Sequence, residues 1–438
     1  MTEFNLTTID QTARRLNEPA WLIELRRRSL ARHAELAWPH PSDDIWRRTD
    51  VRLLDPAQGF APTAPELLAR VALSDAQLAS FTRPLGEERL IVRVNGSFLS
   101  PPPAMDHLRV EELGRAAGAR PEAIRRAIEA DGLTDAEQKL ASLNLAFHHD
   151  DVALTVAPQA GPGAPIRLVR IMAVRPQQAV FPLTVITIGA GSAVTLIDEY
   201  VSVPEAPGTG APHLVNGRIE IVLEQNASLH YVRLQRLDLH AREFLLQRAT
   251  LAQGTTLTMT NINLGSALTK AHVMTKLVGP GATAKLYGFV FGHGAQHIDQ
   301  HTLQDHRAPN TVSDLQFRAA LQDESRMIYT GLIRIAKAAQ QTNAYQANHN
   351  LLLSRTARAE TIPMLEILAD DVQCKHGAST GPIDEEQAFY LMSRGIPRER
   401  AQRLIVMGFI EPIVQQVAFA PLQERLRREL EGSLSDGG

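Results

Sequence analysis

The chain has 438 residues, and at about 150 residues per domain this length predicts about three domains. It carries 45 Lys and Arg against 48 Asp and Glu, and a net charge of −3 argues against a strongly basic nucleic-acid-binding protein. The single cysteine, Cys374, excludes a disulfide within the chain and cannot by itself supply a four-thiolate zinc or iron–sulfur site.

The first residues carry no pattern typical of a secretory signal, because Glu3 and Asp10 occur early and no apolar stretch follows them. The longest uncharged run, residues 176–197, contains two prolines and alternates as a strand does, so it does not predict a membrane-spanning helix. We therefore expect a cytoplasmic protein that does not enter a membrane.

Residues 1–148 are predicted to form a mostly helical N-terminal domain. One helix is expected over residues 18–37, where apolar residues follow a helical spacing. Thr134 and Glu137 match a capping box, in which each side chain accepts a hydrogen bond from a free N–H of the first turn, so a second helix is expected to about Phe147.

The pattern changes over residues 149–378, where short β-branched segments alternate apolar and polar residues. A weak repeat places a turn residue before a small or polar pair and an apolar strand, at Gly191, Asn226, Gly254 and Gly281. This spacing is typical of a β-solenoid, in which each coil buries its face against its neighbours. A β-sandwich with similar turns stays an alternative on this pattern alone, whereas the absence of crossover helices argues against a Rossmann-type or TIM-type domain.

Residues 379–438 are predicted to form a helical C-terminal domain. Asp384 is expected to cap its first helix, whose acidic first turn suits the positive end of the helix dipole. A second helix is expected over residues 398–407, with Gly408 as its end.

The short motif best suited to bind a metal is Cys374-Lys-His376. If it lies on a strand, Cys374 and His376 project to the same side, and thiolate and imidazole could share a soft metal. The motif alone is a weak signal, because a single cysteine is more often a small buried hydrophobe and a single histidine more often a satisfied polar residue.

A second polar cluster consists of His293, His297, Asp299, His301 and His306. On a strand, His297, Asp299 and His301 would alternate onto one face, which could bind a metal. The interpretation that we favour is a polar, solvent-facing strand or coil corner, with metal binding as the alternative.

Other nucleotide-binding and catalytic motifs are missing. The sequence has no G-x-x-x-x-G-K-[ST] phosphate loop, no H-E-x-x-H and no G-x-S-x-G, so binding of ATP through such a loop is not expected. The arginine run at residues 26–28 is interpreted as a solvated helix face rather than as a nucleic-acid patch.

Longer motifs resemble the SufB/SufD family of iron–sulfur cluster assembly proteins. Residues 361–381, TIPMLEILADDVQCKHGASTG, resemble the late core of that family, and the similarity continues through residues 384–396. Residues 341–353 and 18–22 match as well, so the resemblance extends over nearly the whole chain. Within the family the chain is more similar to SufD than to SufB, because its motif reads His-Gly-Ala after the cysteine and further cysteines are lacking.

The resemblance implies a mainly β fold, with a right-handed parallel β-helix core flanked by N-terminal and C-terminal α-helical domains. It favours the solenoid over the sandwich. It also implies two partners: a SufB-like paralogue that pairs through the β-helix, and a SufC-like ATPase that docks on the C-terminal helices. A nucleotide would be bound by that ATPase and not by this chain.

The resemblance also implies roles for two residues. His376 corresponds to the family histidine at the interface of SufB and SufD, where the nascent iron–sulfur cluster is thought to form, and Cys374 corresponds to the cysteine two residues earlier. Both would be transient ligands of the cluster or of iron, shared with a partner chain, with Cys374 the weaker candidate. Lys375 departs from the serine common in relatives, which puts the local electrostatics in doubt.

Together these implications predict a non-catalytic scaffold subunit. One alternative is a SufB-like scaffold that acts as a homodimer, which one cysteine per chain disfavours because two copies offer only two thiolates; a homodimer of the isolated chain also stays open. A second alternative is a β-helix enzyme that acts on polysaccharides, which the aromatic content of 5% disfavours because sugar sites stack on aromatic rings.

Overall fold

The computed structural model describes residues 3–40, 42–63, 73–103, 105–129, 132–204 and 210–436. It contains 42% strand and 27% helix, so the fold is mainly β. In the N-terminal part, the described residues form two short 3₁₀ helices (Val51–Leu54 and Pro56–Gln58) and the α-helices α1 (Leu6–Arg15), α2 (Ala20–Glu35), α3 (Asp75–Thr82), α4 (Leu113–Ala119), α5 (Pro121–Ile128) and α6 (Asp135–Phe147). The C-terminal helices are α7 (Glu385–Ser393), α8 (Arg398–Val414) and α9 (Ala420–Asp436).

The strands form two sheets, which we number in chain order. The first sheet follows the order β4 (Leu108–Glu111), β5 (Asp150–Val156), β8 (Pro182–Ile188), β10 (His213–Leu223), β12 (Ala241–Leu251), β14 (Leu268–Leu277), β16 (His297–His306), β18 (Arg326–Ile335) and β20 (Arg358–Ile367), with the short strands β1 (Ala61–Pro62) and β7 (Gln178–Val180) beside this path. The second sheet follows the order β3 (Ser97–Phe98), β2 (Arg89–Val94), β6 (Ile166–Val174), β9 (Ala193–Pro204), β11 (Ser228–Arg236), β13 (Thr256–Asn263), β15 (Thr283–Gly292), β17 (Val312–Leu321), β19 (Thr342–Leu352) and β21 (Val372–Pro382).

From β8 onward, successive strands belong to different sheets, and each pairs in parallel with the strand two places later. The chain therefore winds through about eight turns of a parallel β-solenoid. This confirms the predicted β-helix core with helices on both sides, and it excludes the sandwich. The three-domain division stays a prediction, and β2 and β4 of the N-terminal part pair with β6 and β5 of the coils.

The interior of the solenoid is built from residues that repeat at the same register in each coil. One such column stacks Leu196, Tyr231, Met259, Leu286 and Leu315, which are all buried. Inside the solenoid, each coil buries apolar area against the neighbouring coils, so this core grows by repetition along the axis.

The turn repeat found in the sequence marks one corner of every coil. Residues at this corner adopt left-handed backbone, with φ between +58° and +72°, at Gln159, Gly191, Asn226, Gly254, Gly281, Asn310 and Gln341. The N–H of Asn226, for instance, donates to the carbonyl of Gln253 in the next coil, and that of Gly254 donates to the carbonyl of Pro280. Glycine and asparagine are the residues that accept this conformation most readily, which is why the repeat is visible in the sequence.

The sequence signals for helix boundaries agree with the structure at the N-termini of two helices and disagree with it at the C-terminus of one helix. The capping box of Thr134 and Glu137 and the cap at Asp384 are both present. However, α8 does not end at Gly408 but continues to Val414 with Pro412 inside it. Its buried apolar residues pack against the second sheet, and this burial outweighs the cost of about 1 kcal/mol for a glycine within a helix.

The arginine run is only partly a solvated face. Arg26 is fully buried and donates two hydrogen bonds to Glu18, of 2.7 and 2.6 Å, whereas Arg28 pairs with Glu129 at the surface. The interpretation is therefore wrong for Arg26, because α2 turns this position toward α6. In the part of the chain that the structure describes, we find no helix with the length and hydrophobicity needed to cross a membrane.

Candidate functional site

The Cys374-Lys-His376 motif lies on β21, the last strand of the second sheet. Cys374 is paired with Ala344 of β19 and His376 with Gln346, so β21 has one paired side. Within the described residues its other side has no strand partner, and the same holds for β20 in the first sheet. The C-terminal end of the solenoid thus presents two strand edges.

Both motif residues project toward the axis of the solenoid, as their spacing predicts. His376 follows Leu315 and Gln346 at the same register, and therefore ends the interior column described above. Gln346 is buried, but His376 is exposed because no further coil covers it. The imidazole therefore stands at the open end of the interior, where another molecule can reach it.

Cys374 is less accessible than His376. It is partly buried against an apolar cluster that includes Ile333, Ile335 and Ala344. Burial raises the pKa of the Cys374 thiol, so the group is protonated at neutral pH and must lose its proton before it binds a metal. Lys375 is paired with Tyr345 on the opposite side of the strand, away from the axis.

The motif does not form a complete metal site by itself. Among the residues that the structure describes, no set of three potential ligand atoms lying within 4.8 Å of one another includes Cys374 or His376. A four-ligand site at this position would need atoms from another molecule.

The second polar cluster does not belong to this site. His297, Asp299 and His301 share one face of β16, as predicted, but this face is buried, so the solvent-facing interpretation is wrong. It is covered by α6 and by residues near Trp46, a tertiary contact that the pattern of β16 alone does not reveal.

The other two histidines of the cluster are separate from this face. His306 lies inside the solenoid, where its ring nitrogens are 2.8 Å from the hydroxyls of Thr311 and Ser313. Burial lowers the pKa of His306 to about 4. His293 lies in the turn after β15, beside Phe291.

The structure brings together two buried groups of possible metal ligands that no local motif predicts. One combines Glu137, His272 and His301, and the other combines Glu18, His148 and Asp151. Their members are up to 164 positions apart in the chain, between Glu137 and His301, so no local motif signals them.

Exposed apolar side chains mark a further surface on the C-terminal helices. Phe389 and Tyr390 of α7 are 70% and 58% exposed, and Leu404 of α8 is 46% exposed. Phe389 and Tyr390 are neighbours in the chain, and exposed apolar side chains of this size are candidates for contact with another protein.

Comparisons with known proteins agree with this architecture. Residues 171–409, more than half of the chain, match the family model described as "SUF system FeS cluster assembly, SufBD core domain". The chain therefore belongs to the SufBD family, whose proteins are components of iron–sulfur cluster assembly. This membership leaves the polysaccharide alternative without support.

Individual relatives show the same similarity. A SufBD family protein of Synechocystis sp. is 26% identical over 96% of this chain and 95% of its own length. The iron–sulfur cluster assembly protein SufD of Escherichia coli is 30% identical over 56% of this chain and 57% of its own length. A SufBD family protein of Mycobacterium leprae is 31% identical over 56% of this chain and 62% of its own length.

Proposed function

We propose that this chain is a non-catalytic, SufD-like scaffold subunit of a cytoplasmic Suf complex, and that a nascent iron–sulfur cluster forms against its last strand. One observation carries the proposal: Cys374 and His376 project side by side from β21, an edge strand at the open end of the solenoid. One thiol and one imidazole are too few ligands for a cluster, so a partner chain supplies the rest.

The partner is a SufB-like paralogue that pairs along the ends of the two sheets. The free N–H and C=O groups of β20 and β21 are a template on which a second β-helix can add strands. Pairing there places the partner's ligands next to His376.

Mixed ligands from two chains suit a cargo that must be released. A cluster held by imidazole and few thiolates is bound less firmly than one held by four thiolates, and the site opens when the interface moves. A SufC-like ATPase that docks on the exposed apolar surface of α7 and α8 would supply this movement. This chain binds no nucleotide and has no turnover of its own.

The test is anaerobic co-purification of this chain with a SufB-like and a SufC-like protein, followed by iron and sulfide analysis. We expect His376→Ala to leave the complex assembled but to lower its iron and sulfide several-fold. Lys375→Ala is the matched control, because it changes the neighbouring residue on the opposite side of β21. Full cluster loading of His376→Ala would show that His376 is not a ligand of the cluster.

The native mass of the same complex tests the partner. We expect a mass that contains both this chain and the SufB-like protein. Two copies of this chain without that protein would instead support the homodimeric scaffold.

A further inference from the structure

Glu137, His272 and His301 form a buried cluster that is separate from the Cys374-Lys-His376 motif and has no part in the proposed function. Glu137 comes from the first turn of α6, and the histidines come from the neighbouring strands β14 and β16, where they are paired in register. One ligand atom from each residue lies within 4.8 Å of the other two, and all three residues are buried.

Three of the four ring nitrogens of these histidines have no hydrogen-bond partner among the described residues. They are both nitrogens of His301, a residue only 3% exposed, and Nε2 of His272. Buried polar atoms are nearly always paired, so an imidazole with two free nitrogens in the protein interior indicates a missing ligand.

The surroundings hold the three side chains in place. One oxygen of Glu137 accepts from the N–H of Thr134 at 2.8 Å, and its other oxygen is 2.8 Å from Nδ1 of His272. The ring of His272 lies between those of Trp46 and His301, with ring centres 5.0 and 4.9 Å away. An oxygen and a nitrogen 2.8 Å apart are close enough to bind one ion at about 2.0–2.1 Å each, so this carboxylate and this imidazole can act as neighbouring ligands.

The buried Lys270 does not supply a cation to the cluster, because its ammonium is paired with Asp299 at 2.8 Å. The second buried group, with Glu18 and His148, differs in this respect, because the guanidinium of Arg26 bonds directly to both residues. A fixed cation therefore occupies that group, while the carboxylate of Glu137 has no arginine or lysine bonded to it among the described residues.

We propose that Glu137, His272 and His301 bind one divalent first-row transition ion, Zn²⁺ or Fe²⁺. Two imidazoles and one carboxylate are the donor set that both ions accept in proteins. Binding ties α6 to two coils of the solenoid, so the ion fastens the N-terminal helices to the sheet.

The protonation states agree with this assignment. Burial lowers the pKa of His272 and holds the pKa of His301 well below its usual value, so both rings are neutral. Burial alone would raise the pKa of Glu137, but the hydrogen bonds that it makes with His272 and with the N–H of Thr134 lower it to about 2. Neutral imidazole and ionised carboxylate are the forms that coordinate metals.

The test uses the full chain, stripped with a chelator and titrated with Co²⁺ as the probe. We expect one Co²⁺ per chain, with visible absorption bands typical of nitrogen and oxygen ligands, and quenching of the fluorescence of Trp46. His301→Asn should weaken Co²⁺ binding at least tenfold. Displacement of Co²⁺ by Zn²⁺, and separately by Fe²⁺ under anaerobic conditions, shows which ion binds more tightly.

Two controls locate the ion. The double variant Cys374→Ala with His376→Ala should keep the full Co²⁺ stoichiometry, which makes this result independent of cluster loading at β21. Trp46→Phe should abolish most of the quenching, whereas Trp21→Phe should not, and this comparison serves if His301→Asn does not fold. Absence of stoichiometric binding by the wild type, its loss in the double variant, or undiminished affinity in folded His301→Asn would overturn the proposal.

Discussion

At the scale of single residues, the role of a side chain in this protein depends on what covers it. Arg26 and Arg28 are two positions apart in one arginine run, yet their side chains are 0% and 60% exposed. Arg26 neutralises a carboxylate, Glu18, that is also fully buried, whereas the pair of Arg28 with Glu129 is screened by solvent. Identical residues therefore differ in their contribution to stability.

We expect Arg26→Ala to lower the free energy of unfolding by about 3–5 kcal/mol, because it leaves Glu18 buried without its partner. Arg28→Ala is the matched control and should cost about 0–1 kcal/mol. Urea denaturation followed by circular dichroism measures both. Equal losses in the two variants would contradict the assigned burial.

His306 makes the stability depend on pH. Its pKa is about 4 in the folded chain and about 6.5 when unfolded, so the unfolded state binds more protons between these values. The stabilising contribution of neutral His306 is therefore present above about pH 6.5 and is lost as the pH falls toward 4. We expect His306→Asn to remove about 3 kcal/mol from the decline of the unfolding free energy over this interval, as measured by urea denaturation at several pH values. An unchanged slope in the variant would count against the buried neutral histidine.

At the scale of elements, the corners of the coils determine which turn residues are tolerated. Gly281 has φ of +72°, and a Cβ there would meet open space. Gly279, two residues earlier, has no such φ, but a Cβ there would lie 2.0 Å from the backbone nitrogen of Gln253 in the preceding coil. Gly281 therefore allows a left-handed backbone conformation, whereas Gly279 allows two coils to approach closely.

These two causes predict different costs in one turn. Gly281→Ala should lower stability by about 1–2 kcal/mol, the cost of a left-handed backbone for a residue with a Cβ. Gly279→Ala should cost more, about 3 kcal/mol, because the backbone of the neighbouring coil must shift. Thermal unfolding of both variants shows which one loses more stability. A larger loss of stability for Gly281→Ala would contradict this explanation.

At the scale of the whole molecule, different helices cover the two sheets of the solenoid. The N-terminal helices pack on the first sheet around Trp46 and Phe147, while the C-terminal helices pack on the second sheet around Ile410 and Leu426. The last strands stay open, and the helices next to them expose apolar side chains. The proposed SufB-like partner would contact these strands, and the proposed SufC-like partner would contact these side chains.

The proposed ATPase contact predicts that Phe389→Asp abolishes co-purification of the SufC-like protein. The ring is 70% exposed, so the change should leave the unfolding temperature within a few degrees of the wild type. Leu99→Asp is the control, because Leu99 is 52% exposed and lies in the N-terminal part. Retained binding of the SufC-like protein by Phe389→Asp would place its docking surface elsewhere.

Much of the architecture was predictable from local patterns. Strand alternation, the turn repeat and the caps at Thr134 and Asp384 depend on neighbouring residues, and all of them agree with the structure. The spacing of Cys374 and His376 likewise predicted their shared side of β21. The end of α8 was not predictable, because contacts with distant strands outweigh the local preference of Gly408.

By itself, the sequence determined the solenoid, the helical flanks and the family. The reason is that the turn repeat of the coils and the long family motifs are patterns of residues close together in the chain. Only the tertiary structure decided that His376 ends an interior column, that Arg26 is buried and that His301 meets Glu137. The physical reason is that burial and ligand geometry arise from separate segments, 30 residues apart for Gln346 and His376 and 164 residues apart for Glu137 and His301. Their contact depends on how the helices pack on the sheets and on no local preference.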